Sequence, residues 1–173
     1  MKKSNCSGVS DHIDDVYAQW QRDMPEIGTN GARILARARR LTLLVRPEIE
    51  AVFKSFELDT GEFDVLATLR RSGAPYALRP TELYRALMIS SGGLTDRLDR
   101  LKARGLIRRR PSEEDKRSEL VELTALGRKK IEAAFVADMA VENRLTAHLS
   151  PGEHEELCRL LRKLLLQLEQ EGR

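Results

Sequence analysis

Two glycines preceded by two serines open an amphipathic helix in the stretch "SSGGLTDRLDRL", Ser90 to Leu101. Leu94, Leu98 and Leu101 repeat at i, i+4 and i+7 and share one face. A helix that buries such a stripe gains nothing from glycine, which costs about 1 kcal/mol against alanine in a helix interior. Gly92 and Gly93 therefore point to a backbone that another molecule approaches closely. The following charges indicate what kind of molecule. From Asp96 to Arg117 the chain holds nine basic and five acidic residues, a local excess of four against a net charge of +3 for the whole chain. A concentrated basic stripe fits a polyanion.

Other chemistries find little support. His12, His148 and His154 stand in polar surroundings, and Cys6 and Cys158 are far apart with no metal-ligand spacing. Two such cysteines read as reduced thiols in the cytoplasm. No nucleophile–base pair, metal cluster or phosphate-cradling glycine loop stands out, so no catalytic residue, metal or cofactor is expected and the chain is not read as an enzyme. With 173 residues, 41% hydrophobic and 33% charged, it can bury a substantial core. No apolar run approaches the roughly 20 residues that span a bilayer. "MKKSNCSGVSDHIDD" starts positive but lacks an apolar segment, so no signal peptide and no membrane partner are expected.

The elements that must position these residues follow from periodicity and caps. Ile13, Val16, Tyr17 and Trp20 predict a first helix, closed near Pro25 and followed by the loop "EIGTNG". A long helix is predicted from about Ala32 to Phe56, with a kink or break at Pro47. "LDTGEFDVLATLRRSG" predicts a third, with Asp59 and Glu62 as a capping box and Gly73 at its end. "APYAL" reads as a short extended connection, and "RPTELYRALM" restarts a helix at Pro80. Two short helices joined by "ISSGG" form a helix-turn-helix candidate. Gly105 ends the second of them, and "LIRRR", "PSEEDKR" and "SELVELT" read as strand, polar turn and strand, the layout of a wing.

Thr124 can cap a further long helix carrying Ile131 and Phe135, and "SPGE" at Ser150–Glu153 is a capping box for a leucine-rich last helix. That last stripe is wide enough to predict a homodimer. The predicted fold is mainly α with a small β-hairpin wing: a winged helix-turn-helix with N- and C-terminal dimerisation helices. Residues 1–30 are read as an N-terminal extension with an extra helix and 31–56 as a dimerisation or core helix. Residues 57–127 are the winged helix-turn-helix, and 128–173 the C-terminal dimerisation helices.

In "PTELYRALMISSGGLTDRLDRLKARGLIRRRPSEEDKRSELVELTALG" the chain resembles the MarR family of winged-helix transcriptional regulators, over about Ile34 to Phe135. Asp115, Lys116 and Arg117 followed by "LVELT" are similar to that family's wing. The extra helix with Trp20 and "RDMPEI", together with "GEFDVLATLRRSG", resembles its urate-responsive branch. This resemblance implies a repressor that leaves DNA when a purine-like or phenolic anion binds, with Trp20, Asp64, Arg97 and Arg109 as ligand-binding residues. At about 100° per residue, Arg97 flanks the Leu94–Leu98–Leu101 stripe and turns toward protein. A partly buried arginine needs an acidic partner, and Asp64 is the candidate. An anion seeking Arg97 would compete with Asp64 and shift the helix.

The expected DNA contacts divide by chemistry. Ser90, Ser91, Gly92 and Gly93 offer hydroxyls and N–H groups to phosphates. Thr95, Asp96 and Arg100 lie opposite the leucine stripe and can reach base edges. Arg117 suits minor-groove insertion, with Lys116 and Arg108 to Arg110 attracting the backbone. The expected partners are double-stranded DNA carrying a pseudo-palindromic operator, a small anionic aromatic effector and a second copy of the chain. The competing reading keeps the fold but answers to another phenolic or aromatic acid, or to oxidation of Cys6 or Cys158.

Overall fold

Local capping chemistry sets most of the helix boundaries in a computed structural model that describes residues 10–87, 93–112 and 118–171. Ser90, Ser91, Gly92, Lys116, Arg117 and Cys6 lie outside these residues. Asp11 starts α1 (His12–Asp23) by accepting from the Ile13 and Asp14 N–H groups at 2.8 and 3.0 Å. α2 spans Asn30–Ser55. Asp59 starts α3 (Thr60–Arg71): its carboxylate accepts from the Glu62 N–H at 2.7 Å, and Glu62 accepts from the Asp59 N–H at 3.2 Å. β1 (Ala77–Leu78), α4 (Pro80–Ala86), α5 (Leu94–Ala103), β2 (Ile107–Pro111) and β3 (Glu119–Leu123) follow. Thr124 caps α6 (Ala125–Thr146) through the Gly127 N–H, and Ser150 with Glu153 starts α7 (Pro151–Glu171).

Two expectations need correction. Of the kink or break expected at Pro47, the break does not occur: α2 is one helix from Asn30 to Ser55. Proline removes the donor for the carbonyl four residues back; that residue, Leu43, is exposed, so solvent can satisfy the freed oxygen. The extended connection before α4 is also more than a link. β1 pairs antiparallel with β3, Ala77 opposite Glu122 and Leu78 opposite Val121, giving a three-stranded sheet in the order β1-β3-β2. A two-residue strand has no alternation to show in a sequence.

The chain divides into two compact units, one up to Glu48 and one from Ile49 onward. In the first, α1 is tied to α2 by ion pairs: Arg33 to Asp14 at 2.9 Å, and Arg37 to Asp14 at 2.7 Å and Asp11 at 2.9 Å. Arg37 and then Arg33 hold the Asp14 carboxyl down at about 2. In the second unit the core gathers Leu66 and Leu69 of α3, Leu83 of α4, Leu101 of α5, Val121 of β3 and Ile131 of α6. The three leucines expected on one face of α5 behave as predicted: Leu98 and Leu101 are buried and Leu94 packs partly against the same cluster. Among the described residues no helix is long and apolar enough to cross a membrane.

Two buried carboxylates break the apolar pattern of the second unit. Glu62, 5% exposed, accepts from Arg100 at 3.0 Å and Arg104 at 3.1 Å, so it ties the first turn of α3 to α5. Asp138 on α6 is 4% exposed, and its Oδ1 has no hydrogen-bond partner. Burial, and then the neighbouring Glu142, raise its carboxyl to about 6.

Removing Glu62 takes away the side-chain acceptor for the Asp59 N–H at the start of α3 and the acceptor shared by two partly exposed arginines, so Glu62→Ala should cost about 1–2 kcal/mol in urea unfolding. Asp138 acts in the opposite direction. Its folded pKa lies above the unfolded value, so its charged form costs stability as pH rises through about 6. Asp138→Asn should therefore stabilise the protein by about 1–3 kcal/mol at pH 8, and the gain should vanish toward pH 4. A gain that does not change with pH would show that the carboxyl is not the cause.

Candidate nucleic-acid interface

α4 and α5 form the helix-turn-helix, and their exposed sides border an open groove of about 600 Å³. Thr95 and Asp96 line it from the first turn of α5, where both are exposed. Thr81, Tyr84 and Arg85 line it from α4. Tyr84, at 56% exposure, and Arg85 were not among the residues singled out from the sequence. Their signal was an aromatic and a cation displayed on a helix too short to need them for packing. Gly93, at the mouth of α5, has φ +71, and a Cβ there would meet open space. Its backbone conformation alone accounts for glycine at this position.

The basic stripe is largely engaged by the protein itself. Arg100 does not stand free above α5: its guanidinium folds back onto α3, 2.8 Å from Asp59 and 3.0 Å from Glu62. Helical periodicity places its Cβ correctly, but a side chain this long can bring its charge back to a neighbouring element. Arg104 joins the same carboxylate and donates to the Glu57 carbonyl at 2.6 Å. Arg108 and Arg110 bracket Glu122 at 2.8 and 2.5 Å across the β2–β3 pair. Arg108 and then Arg110 hold the Glu122 carboxyl below its usual range, against the effect of its burial. Arg109 reaches Asp99 at 3.1 Å and lies 3.8 Å from Glu119. Lys102 is exposed and, among the described residues of the stripe, forms no ion pair.

Three of the four residues tied to an effector by resemblance lie in the second unit. Asp64 is buried at 7% exposure on α3, and Arg97 is half-buried on α5. The Arg97 guanidinium lies against Gly61, where any Cβ would overlap it. Gly61 and Asp64 are three residues apart on one helix and so share a face. Arg109 sits on β2 and pairs as described, while its Nε is buried with no acceptor. Trp20 belongs to the first unit, where its 53% exposed indole lines a shallow hollow with Tyr17, Met24 and Ile27. Cys158 is exposed on α7 with its Sγ 3.9 Å from His154 Nδ1.

Comparison with known proteins gives this geometry a context. Residues 57–118 match the model of the MarR family. The chain is 39% identical over 148 residues to the HTH-type transcriptional regulator PecS of Dickeya dadantii, covering 86% of this chain and 87% of that one. It is 31% identical over 131 residues to the multiple antibiotic resistance protein MarR of Salmonella typhimurium, covering 73% and 89%. Among solved structures, Bordetella bronchiseptica BpsR, whose DNA binding is regulated by 6-hydroxynicotinic acid, superposes with a TM-score of 0.59 at 26% identity. That match covers 74% of this chain and 98% of BpsR. With a winged helix-turn-helix and relatives matched over most of its length, the chain belongs to the MarR family of ligand-responsive, DNA-binding transcriptional regulators, which are not enzymes.

Proposed function

We propose that the protein is a homodimeric repressor, acting in the cytoplasm, that leaves a pseudo-palindromic operator when a small anionic aromatic molecule binds, with urate as the first candidate. The position of Arg97 carries this reading. A cation on the recognition helix rests on a glycine one turn from a buried carboxylate, so a ligand that draws Arg97 away acts directly on α5. The buried Nε of Arg109 is a donor that an anion would satisfy. Asp64, Arg97 and Arg109 are the proposed effector residues, and Trp20 joins them on the resemblance. Control of BpsR by an aromatic acid supports the ligand class.

On the DNA side, Ser90, Ser91, Gly92 and Gly93 are proposed at phosphates, Thr95 and Asp96 at base edges, and Lys116 and Arg117 on the wing. Tyr84 and Arg85 are added on α4. Arg100 can serve as a base contact only if DNA draws it from Asp59 and Glu62, so its role is an exchange of partners. For the dimer, α7 leaves Leu157, Leu160, Leu161, Leu164, Leu165 and Leu168 exposed along a single chain. So large an apolar surface calls for a partner, and a second copy would set two recognition helices about 34–36 Å apart.

Deleting the residues after Ser150 should yield a monomer by light scattering and remove operator binding. A dimer that persists, or a footprint lacking two-fold symmetry, would overturn the assembly. Titration with urate should lower operator affinity 5- to 150-fold, the range of about 1–3 kcal/mol typical of such coupling. Arg97→Ala should abolish the response, and Trp20 fluorescence should report binding. If urate and 6-hydroxynicotinate both leave fluorescence and mobility shifts unchanged at millimolar concentration, the effector assignment fails while DNA binding stands.

A further inference from the structure

An acid at the third residue of a helix has one common use in this chain. Asp14 accepts from the Asp11 N–H at 3.3 Å, Glu62 from the Asp59 N–H at 3.2 Å, Glu82 from the Arg79 N–H at 2.8 Å and Glu153 from the Ser150 N–H at 2.9 Å. Each closes on the N-cap of its own helix. Asp96 holds the same place in α5 and does not. Its N-cap, Gly93, has φ +71 and ψ 20, whereas Asp11, Asp59 and Arg79 are extended at that position. The Gly93 N–H is therefore not offered to Asp96.

No cation occupies it either. Arg100, four residues on, is the natural partner on the same helix face, but Asp59 and Glu62 have taken it. Asp96 is left as an exposed carboxylate with no hydrogen bond or ion pair to any described residue, lining the groove between α4 and α5 beside Thr95 and Arg85. Near DNA such a group is unfavourable, because the phosphates repel it. Only a donor meeting its oxygens offsets that repulsion. An ionised carboxylate accepts hydrogen bonds and cannot give them. In the major groove guanine shows two acceptors and thymine one, and adenine sets its N7 acceptor beside its N6 donor. Cytosine alone shows a donor, N4, with no acceptor of its own beside it.

We propose, resting on the placement of Asp96 at base edges given above, that Asp96 sets the base preference of each half-site by accepting from the N4–H of one cytosine. Guanine or thymine at that place sets acceptor against acceptor, and adenine opposes the carboxylate with N7. Much of the selectivity is exclusion: a wrong base leaves a desolvated charge without its hydrogen bond. Asparagine at this position would choose differently, since an amide both accepts and donates and so matches N6 and N7 of adenine. The neighbouring Thr95 carries a hydroxyl that also does both, and it fixes no base by itself.

The test is selection from a duplex DNA library of about 20 randomised base pairs, long enough for two half-sites one helical turn apart. Full-length wild type, Asp96→Ala and Asp96→Asn are compared, each checked for folding by circular dichroism. Wild type should select a cytosine in each half-site by about 5- to 150-fold over other bases, and Asp96→Ala should lose that preference while keeping the rest of the site. Asp96→Asn should move the preference to adenine. N4-methylcytosine at the selected position replaces the outward hydrogen with a methyl group. It should weaken wild type by a similar factor and leave Asp96→Ala unchanged. If the position relaxed in Asp96→Ala carries another base, or if wild type binds methylated and plain sites equally, the cytosine assignment is overturned and the base-edge placement stands. An equal change in affinity for all sequences, or no change, overturns both, because a charge that acts only on the helix dipole or on phosphates reads no base.

Discussion

The recognition helix is held in place by a carboxylate buried in the first turn of α3. Glu62 caps its own helix through the Asp59 N–H and also receives Arg100 and Arg104 from α5, so one side chain sets both a helix start and an inter-helix angle. Charge-assisted hydrogen bonds of this kind are directional. An apolar contact of equal area would let α5 slide, whereas two guanidinium groups on one carboxylate specify its pitch. The leucines beneath supply the larger share of the burial, and the polar clamp decides orientation. A reader of DNA needs that division, because base contacts depend on where the helix points.

The same clamp changes how the basic stripe must be understood. Arg100, Arg104, Arg108, Arg109 and Arg110 all meet carboxylates of the protein. Their Coulomb field at a phosphate is therefore weaker than a count of cations implies, and part of any DNA affinity would come from exchanging internal partners for phosphates. Exchange is also what makes such an interface controllable. Most of these arginines are partly exposed, where an ion pair contributes little to stability and is cheaply broken. Arg97 is positioned differently. Its guanidinium is wedged on Gly61 in a half-buried setting, where displacing it disturbs packing as well as charge.

Asp138 lies on α6, the helix that packs against α3 on the side of the second unit opposite in role to the α3–α5 clamp. Where Glu62 is a carboxylate with its cations supplied by the fold, Asp138 forms no ion pair among the described residues. A protein retains an uncompensated buried charge at a cost in stability, and such costs concentrate at sites that bind something. The contrast between these two acids lies in their partners and not in their burial, which is nearly the same.

Most helix boundaries were legible in the sequence because the interactions that set them are local. Asp59 with Glu62, Thr124 with Gly127 and Ser150 with Glu153 are three residues apart, so residue type and spacing sufficed. The buried stripe of α5 was equally plain, since Leu98 and Leu101 follow helical period. The short strand β1 was not, because its partner lies more than forty residues away and two residues have no pattern. Nor was the fate of Arg100 or the isolation of Asp138. Periodicity gives the direction of a Cβ, but an arginine's charge sits several bonds further out, and which carboxylate it meets depends on the distance between helices. That distance is set by how the core packs. The sequence by itself therefore determined the helices and their apolar faces, through contacts within a turn, and the two wing strands, through alternation on either side of a polar turn. Only the tertiary structure decided which charges cancel and that, among the described residues, the buried Asp138 Oδ1 has no hydrogen-bond partner, because those outcomes depend on contacts between residues tens of positions apart.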